Sequence, residues 1–479
     1  MLKKIINVVQ IPIKIMLVCM IAYGIYGYFN QVFINEDVDY GASFHSLPEN
    51  SMDVIVLGSS HAQYSFVPSV FHEETGLYSY VMGSACQPLE VSYEMLKEAL
   101  KTQSPKLVLL EVYTAMPLRS ICEADVCYVK GQYLMSGEEK YNTINYLEEE
   151  KAKTYYNDFI NLHNNWKTSE TLKDWMPSNR FKKLDSNIDD SFGYIFQKAV
   201  LPYDESNNFW RAATFVSKEE VELDKLDLES LNNIYNLCKG NDIDLMLYKT
   251  PIDSMDITNQ SYLHKVWEWA DNNGIKYLDF FKLQEKIDFN MWIHSDSYHC
   301  YNNGAAIVTD ELSNYISNNY DFSHISNEML DEKYSDNALW FDIEYIKYEY
   351  DVYKSFSRMK HEDATILIKY DAANVIMQDR LRDEIIEFGF DDFDVYKDYY
   401  AIVKDGELIV SGSDNVIMDY NGKEIVIDKD IVSIDGNEIE TMGSLSLIML
   451  DKSLDSYTVK NIDYSDYPWE YGYDYYYKK

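Results

Sequence analysis

Two short stretches carry the residue types that acyl-transfer chemistry needs. The first is Val54-Ile55-Val56-Leu57-Gly58-Ser59-Ser60-His61, an apolar run that ends in a glycine and two serines. A serine at a strand-to-turn junction is held clear of the sheet, and the backbone N–H groups there can point at a developing oxyanion. The second is Trp292-Ile293-His294-Ser295-Asp296-Ser297-Tyr298-His299, followed by Asn303-Gly304-Ala305. Asp296 and His299 stand three residues apart, so the carboxylate can orient the imidazole and stabilise its cation. The imidazole can then take a serine proton. Gly58-Ser59-Ser60 alone reads equally well as a polar turn; the downstream Asp-x-x-His tips the reading toward catalysis. His61 and His294 are read as lining such a site or lying on the surface. Glu111 either touches the site from a strand end or caps a neighbouring helix.

These residues need a scaffold that brings distant segments to one edge. Asp53 to Leu57 reads as a buried strand, and Tyr78 to Met82, ending at Gly83, as a second. Leu107 to Val112, Ile243 to Tyr248 and Ile275 to Phe281 are three more. Helices are expected over Leu89 to Lys101, Tyr262 to Asn272 and Asn303 to Asn319. Alternating strands and helices argue for a parallel sheet covered on both faces, a three-layer α/β fold. Residues of about 120 to 235 form an insertion rich in Asn, Lys, Tyr and Trp, placed to shape a substrate cleft.

Together the two stretches resemble the SGNH (GDSL-type) hydrolase superfamily over residues of about 50 to 320. Its first block, Gly-x-Ser after the first strand, is matched by Gly58-Ser59-Ser60, and its last by Asp296-Ser297-Tyr298-His299 with Asn303-Gly304-Ala305. The resemblance implies Ser60 as nucleophile, with Ser59 as the alternative, His299 as base and Asp296 as its orienting acid. It also implies an oxyanion hole from the N–H groups of Ser60 and of Gly83, in Val81-Met82-Gly83-Ser84. The sequence departs at the third block. Leu110-Glu111-Val112-Tyr113 stands where the superfamily often has Gly-x-Asn-Asp. That loss is shared by exported SGNH-like proteins that act with membrane-bound O-acyltransferases in alginate O-acetylation and teichoic acid D-alanylation. The implied function is acyl transfer to a cell-surface polysaccharide. A glycan O-acetyl esterase with the same triad and a non-catalytic surface binding or assembly protein are the alternatives. No cofactor and no metal are expected.

Residues 1–35 carry Lys3, Lys4 and Lys14 and no acid, and Ile5 to Phe29 is largely apolar. That is long enough for one membrane-spanning helix, with the bulk of the protein outside the cell. The alternative is a signal peptide cut near Ala22-Tyr23-Gly24. The bulky Tyr23, Tyr26, Tyr28 and Phe29 favour a retained anchor. With 42 Lys and Arg against 80 Asp and Glu, the net charge of −38 repels phosphate backbones and excludes a basic nucleic-acid groove. Six cysteines are too few for a disulfide scaffold. Cys122 and Cys127 could bridge locally, while Cys86 and Cys300 are read as small buried fillers near the site.

The remainder divides into residues 36–325 as the SGNH-like domain, 326–360 as a linker with one acidic helix over Asp336 to Lys360, and 361–463 as a β-rich accessory domain. Residues 464–479 form a Tyr/Asp-rich tail. Asp405-Gly406, Asn421-Gly422 and Asp435-Gly436 mark tight turns between β-branched runs. Three stretches, Thr365 to Asp371, Tyr399 to Gly406 and Ser446 to Asp451, resemble the interleukin-like EMT-inducer (PANDER-like) β-sandwich. That resemblance implies glycan binding or partner docking, with a plain packing module as the alternative.

Overall fold

In the computed structural model the five expected strands form one all-parallel sheet in the order β2-β1-β3-β4-β5. The structure describes residues 12–26, 43–115, 135, 137–155, 191–197, 221–251, 257–280, 299–349, 352–361, 363–372, 379–388, 394, 396–420 and 422–462. The chain divides into two compact units. The first is Met1–Phe196, Tyr203–Cys300 and Gly304–Ile325; the second is Gln197–Pro202, Tyr301–Asn303 and Ser326–Lys479.

In the first unit the strands are β1 (Val54–Gly58), β2 (Ser79–Gly83), β3 (Leu107–Glu111), β4 (Asp244–Lys249) and β5 (Lys276–Asp279). Every residue of β1, β2 and β3 is buried. Period-2 alternation sends neighbouring side chains to opposite faces, so unbroken apolar runs such as VIVL and LVLL require cover on both. Val54, Val56, Val81, Leu107, Leu109 and Met246 share one core with Ala62, Phe66, Phe71, Val308, Leu312 and Ile316. Those partners come from α1 (Ser60–Ser65), the residue just past it, α2 (Pro68–Thr75) and the later helix Asn302–Asn319. Helices α3 (Leu89–Ala99) and α4 (Lys225–Gly240) pack on each other and against β1 and β4 respectively.

Helix α4 begins at Lys225, inside the insertion expected over residues of about 120 to 235. Asp224 starts it by accepting the Leu226 N–H at 2.8 Å. Within the insertion, residues 191–197 return to the sheet: Val81 N donates to Phe192 O at 2.9 Å and Ile195 N to Gln63 O at 2.8 Å. This covers the free edge of β2, which an open sheet would otherwise expose.

The second unit holds two antiparallel sheets, β14-β13-β6-β7-β8 and β12-β11-β10-β9. Their strands are β6 (Thr365–Tyr370), β7 (Tyr399–Lys404), β8 (Glu407–Gly412), β9 (Asn415–Tyr420), β10 (Lys423–Asp428), β11 (Val432–Ile434), β12 (Asn437–Glu438), β13 (Leu445–Leu450) and β14 (Tyr457–Ile462). Leu367, Ile402 and Ile448 of one sheet meet Val416, Ile425 and Ile427 of the other in one core. The turns Asp405-Gly406 and Asp435-Gly436 take positive φ at both residues, 51° and 72° and then 49° and 72°, as tight hairpins demand. The single helix expected over 336–360 is instead two, Glu328–Tyr348 and Val352–Met359. Glu349 turns extended at the end of the first, with φ −83° and ψ 127°, which ends the helical ladder. Asn421, the neighbour of the third turn glycine, and the tail 464–479 lie outside the described residues.

Residues 12–26 form a helix exposed at every position. Among the described residues no helix is long and apolar enough to cross a membrane. Of the cysteines, Cys86 is disulfide-bonded rather than a filler, and its partner lies outside the described residues. Cys19, Cys238 and Cys300 are free.

The fully buried Leu109 sits at the centre of the first core. Leu109→Ala is expected to destabilise this unit by about 2–5 kcal/mol, read as a lowered denaturant midpoint in a urea melt.

Candidate active site

Parallel strands leave their carboxyl ends on one edge, and the candidate residues gather there. Gly58 ends β1 beside Gly83, which ends β2. Glu111 ends β3 beside Tyr248 of β4, and Lys249 pairs with Asp279 of β5. The chain leaves β1 through Gly58 at φ 154°, where an added Cβ would stand 2.6 Å from Glu111 Cβ and 3.0 Å from Ala62 Cβ. Only glycine fits so close to β3. Ser59 follows as the N-cap of α1, its Oγ accepting the His61 N–H at 3.2 Å. Its side chain is thereby committed to the turn. Ser60 opens the helix with its hydroxyl turned the other way.

That hydroxyl meets His299. His299 Nε2 lies 2.9 Å from Ser60 Oγ, across 239 residues of sequence. The spacing is that of a nucleophile and its general base. The structure thus brings Ser60, and not Ser59, to the imidazole. Tyr64, one turn along α1, sets its ring edge-to-face against His299 at 4.7 Å. The His61 ring lies 4.9 Å from that of His299 and stacks on Tyr113 at 3.6 Å. Asp296 and His294 lie outside the described residues.

Gly83 closes in from β2. A Cβ there would lie 3.1 Å from both Gly58 O and Ser59 O and 2.8 Å from Gln63 Cγ. The residue expected to help hold an oxyanion therefore abuts the serine turn, and a side chain would push that turn away.

Glu111 answers to both readings made from sequence. It is fully buried, accepts the Tyr113 N–H at 3.0 Å at the start of the short 3-10 turn Tyr113–Ala115, and receives Ser59 Oγ at 3.4 Å. Burial away from water pushes its carboxyl up to about 8, opposed by the Tyr113 N–H, the Lys249 charge and hydrogen bonds from Thr250 and Ser59. Burial likewise pulls Lys249 down, against the attraction of Asp279 and Glu111. Lys249, Thr250, Tyr64 and Tyr113 were not singled out from sequence. A lysine closing the otherwise apolar run Leu245-Met246-Leu247-Tyr248 is the one signal that could have flagged the first two.

No protein-family model matches the chain, and no curated protein matches it. Among solved structures, the chain is similar to a crystal structure titled as a putative acylhydrolase from Bacteroides fragilis. The two are 11% identical, with 58% of this chain and 94% of that one covered at a TM-score of 0.28.

Two outcomes follow from the packing. Gly58→Ala forces a side chain into the β1–β3 contact at a positive φ and is expected to cost about 2–4 kcal/mol, measured by thermal melting. For Glu111, the folded chain keeps a proton that the unfolded chain, with its ordinary value of 4.5, releases. Its contribution to stability is therefore complete below that value and is lost as pH rises toward about 8. Glu111→Gln removes the loss, so the melting temperature of the variant should gain on the wild type across that window and run parallel to it outside.

Proposed function

We propose that the protein is an exported serine acyltransferase that acts on a cell-surface polysaccharide. The observation that carries this is the 2.9 Å contact between Ser60 Oγ and His299 Nε2 at the carboxyl edge of a parallel sheet. His299 takes the Ser60 proton as the serine oxygen attacks the carbonyl carbon of an acyl donor. The N–H groups of Ser60 and Gly83 hold the oxygen that gains charge. The donor's leaving group departs with the proton from His299, which leaves an acyl ester on Ser60. A glycan hydroxyl then gives its proton to His299 and attacks that ester; the bond to Ser60 Oγ breaks, His299 returns the proton to that oxygen, and the glycan carries off the acyl group. Asp296, three residues upstream of His299, is assigned to orient the imidazole.

The acyl donor is assigned to a membrane-bound O-acyltransferase partner, and the chain to the outer face of the cell membrane. Two observations support export. The helix over residues 12–26 exposes Ile13, Ile15, Leu17, Val18, Ile21 and Ile25, a pattern suited to lipid rather than water. Cys86 is held in a disulfide, which belongs to an oxidising compartment.

Water as acceptor in place of the glycan hydroxyl gives an esterase with the same residues. A surface protein that keeps the fold without turnover is the reading from another class; the glutamate that stands where the superfamily often has an asparagine favours it.

A chromogenic acetyl ester tests the nucleophile. Purified protein should release the chromophore, and Ser60→Ala should reduce kcat by at least about a hundredfold. Equal rates for the two would leave the non-catalytic reading standing.

A further inference from the structure

The buried carboxyl under the serine turn is not used by the acyl-transfer steps, yet three groups around the site converge on it. Its Oε2 lies 3.4 Å from Ser59 Oγ, and its Oε1 lies 3.0 Å from the Tyr113 N and 3.5 Å from Thr250 Oγ1. Thr250 Oγ1 in turn lies 3.1 Å from His61 Nδ1. Ser59 accepts the His61 N–H, which closes the circuit back to the helix that carries Ser60. His61 stacks on Tyr113 and flanks His299. Glu111, Ser59, His61 and Thr250 are buried; Tyr113 and His299 are half-buried.

We propose that Glu111 is a positioning residue for the Ser60 site, holding the Ser59–Ser60 turn through Ser59 and tying it through Thr250 to His61. The proposal rests on the reading of Ser60 as nucleophile. Glu111 does not touch the reacting atoms; it acts through its neighbours. Three hydrogen-bonded partners and the close contact with Gly58 leave the turn one geometry. Precise geometry matters because a misplacement of about 1 Å can cost on the order of a hundredfold in rate.

The protonation of this carboxyl decides the direction of the circuit. While protonated it adds no charge beside the serine turn. Once ionised it accepts from Ser59 and Thr250 and puts a buried negative charge beside that turn, which opposes the build-up of negative charge during attack. The charged and titratable groups that face it are Lys249 and Tyr248 from β4, Tyr277 from β5, and His61 through Thr250. All of these remain when Glu111 alone is changed.

The test is the rate of Ser60 labelling by a fluorophosphonate, measured on the full chain in detergent from about pH 6 to about 9.5. The wild-type rate should fall in the alkaline range as Glu111 ionises. Glu111→Gln should lose that fall. Glu111→Ala, which leaves Ser59 and the Tyr113 N–H without their partner, should label at least about tenfold more slowly than the wild type on the acid side of the fall, with most of that loss recovered in Glu111→Gln. A Glu111→Gln profile that still falls with the wild-type midpoint overturns the proposal while leaving Ser60 as nucleophile. No labelling of the wild type at any pH overturns the reading of Ser60 and this proposal with it. Should Glu111→Gln fail to fold by circular dichroism, Thr250→Val decides. Loss of a donor to the ionised carboxylate should move the fall to higher pH, and an unmoved midpoint overturns the proposal.

Discussion

The close approach of β1 to β3 at their carboxyl ends is the contact on which the site depends. Gly58 lies where its missing side chain would overlap Glu111, so the two strands meet without an intervening group. That contact sets where the chain leaves the sheet, and so where Ser59 caps α1 and where Ser60 begins it. It also buries the Glu111 carboxyl. A carboxyl sealed under a backbone turn either keeps its proton or finds donors, and this one is surrounded by Tyr113, Ser59 and Thr250.

The site is a product of sheet topology. Strand β1 is flanked by β2 and β3, and the next neighbours are β4 and β5. Every strand points the same way, so five loops open on one edge, as in other open parallel sheets that bind ligands there. Ser60, Gly83, Glu111 and Lys249 come from four different strands or the turns that follow them. His299 completes the group from the chain before the helix Asn302–Asn319, whose Val308, Leu312 and Ile316 anchor it in the sheet's core. The imidazole is thus held by packing on one side and by Tyr64 on another.

The two units are built differently. The first builds its core from parallel strands and crossover helices, with the reactive groups at the loop edge. The second encloses its core between two antiparallel sheets with tight hairpins between strands. The net charge of −38 keeps the whole chain repulsive to polyanions.

Local rules made the scaffold legible. Short β-branched runs ending at Gly58 and Gly83, and Asp-Gly pairs between strands, are decided within a few residues, so β1 to β5 and the hairpins could be read directly. The pairing of Ser60 with His299 was legible as well, since each lay in a recognisable block. The sequence alone also determined the charge and the lysine-flanked apolar amino end. What only the tertiary structure decided lies between blocks. It committed the Ser59 side chain to the cap of α1 and set the Ser60 hydroxyl against His299, contacts that exist only once the helix forms. It put Glu111 under the turn and joined Thr250 to His61, residues 189 positions apart. It also broke the 336–360 helix at Glu349. Burial, side-chain direction and the meeting of remote strands depend on packing, which no local pattern of residues encodes.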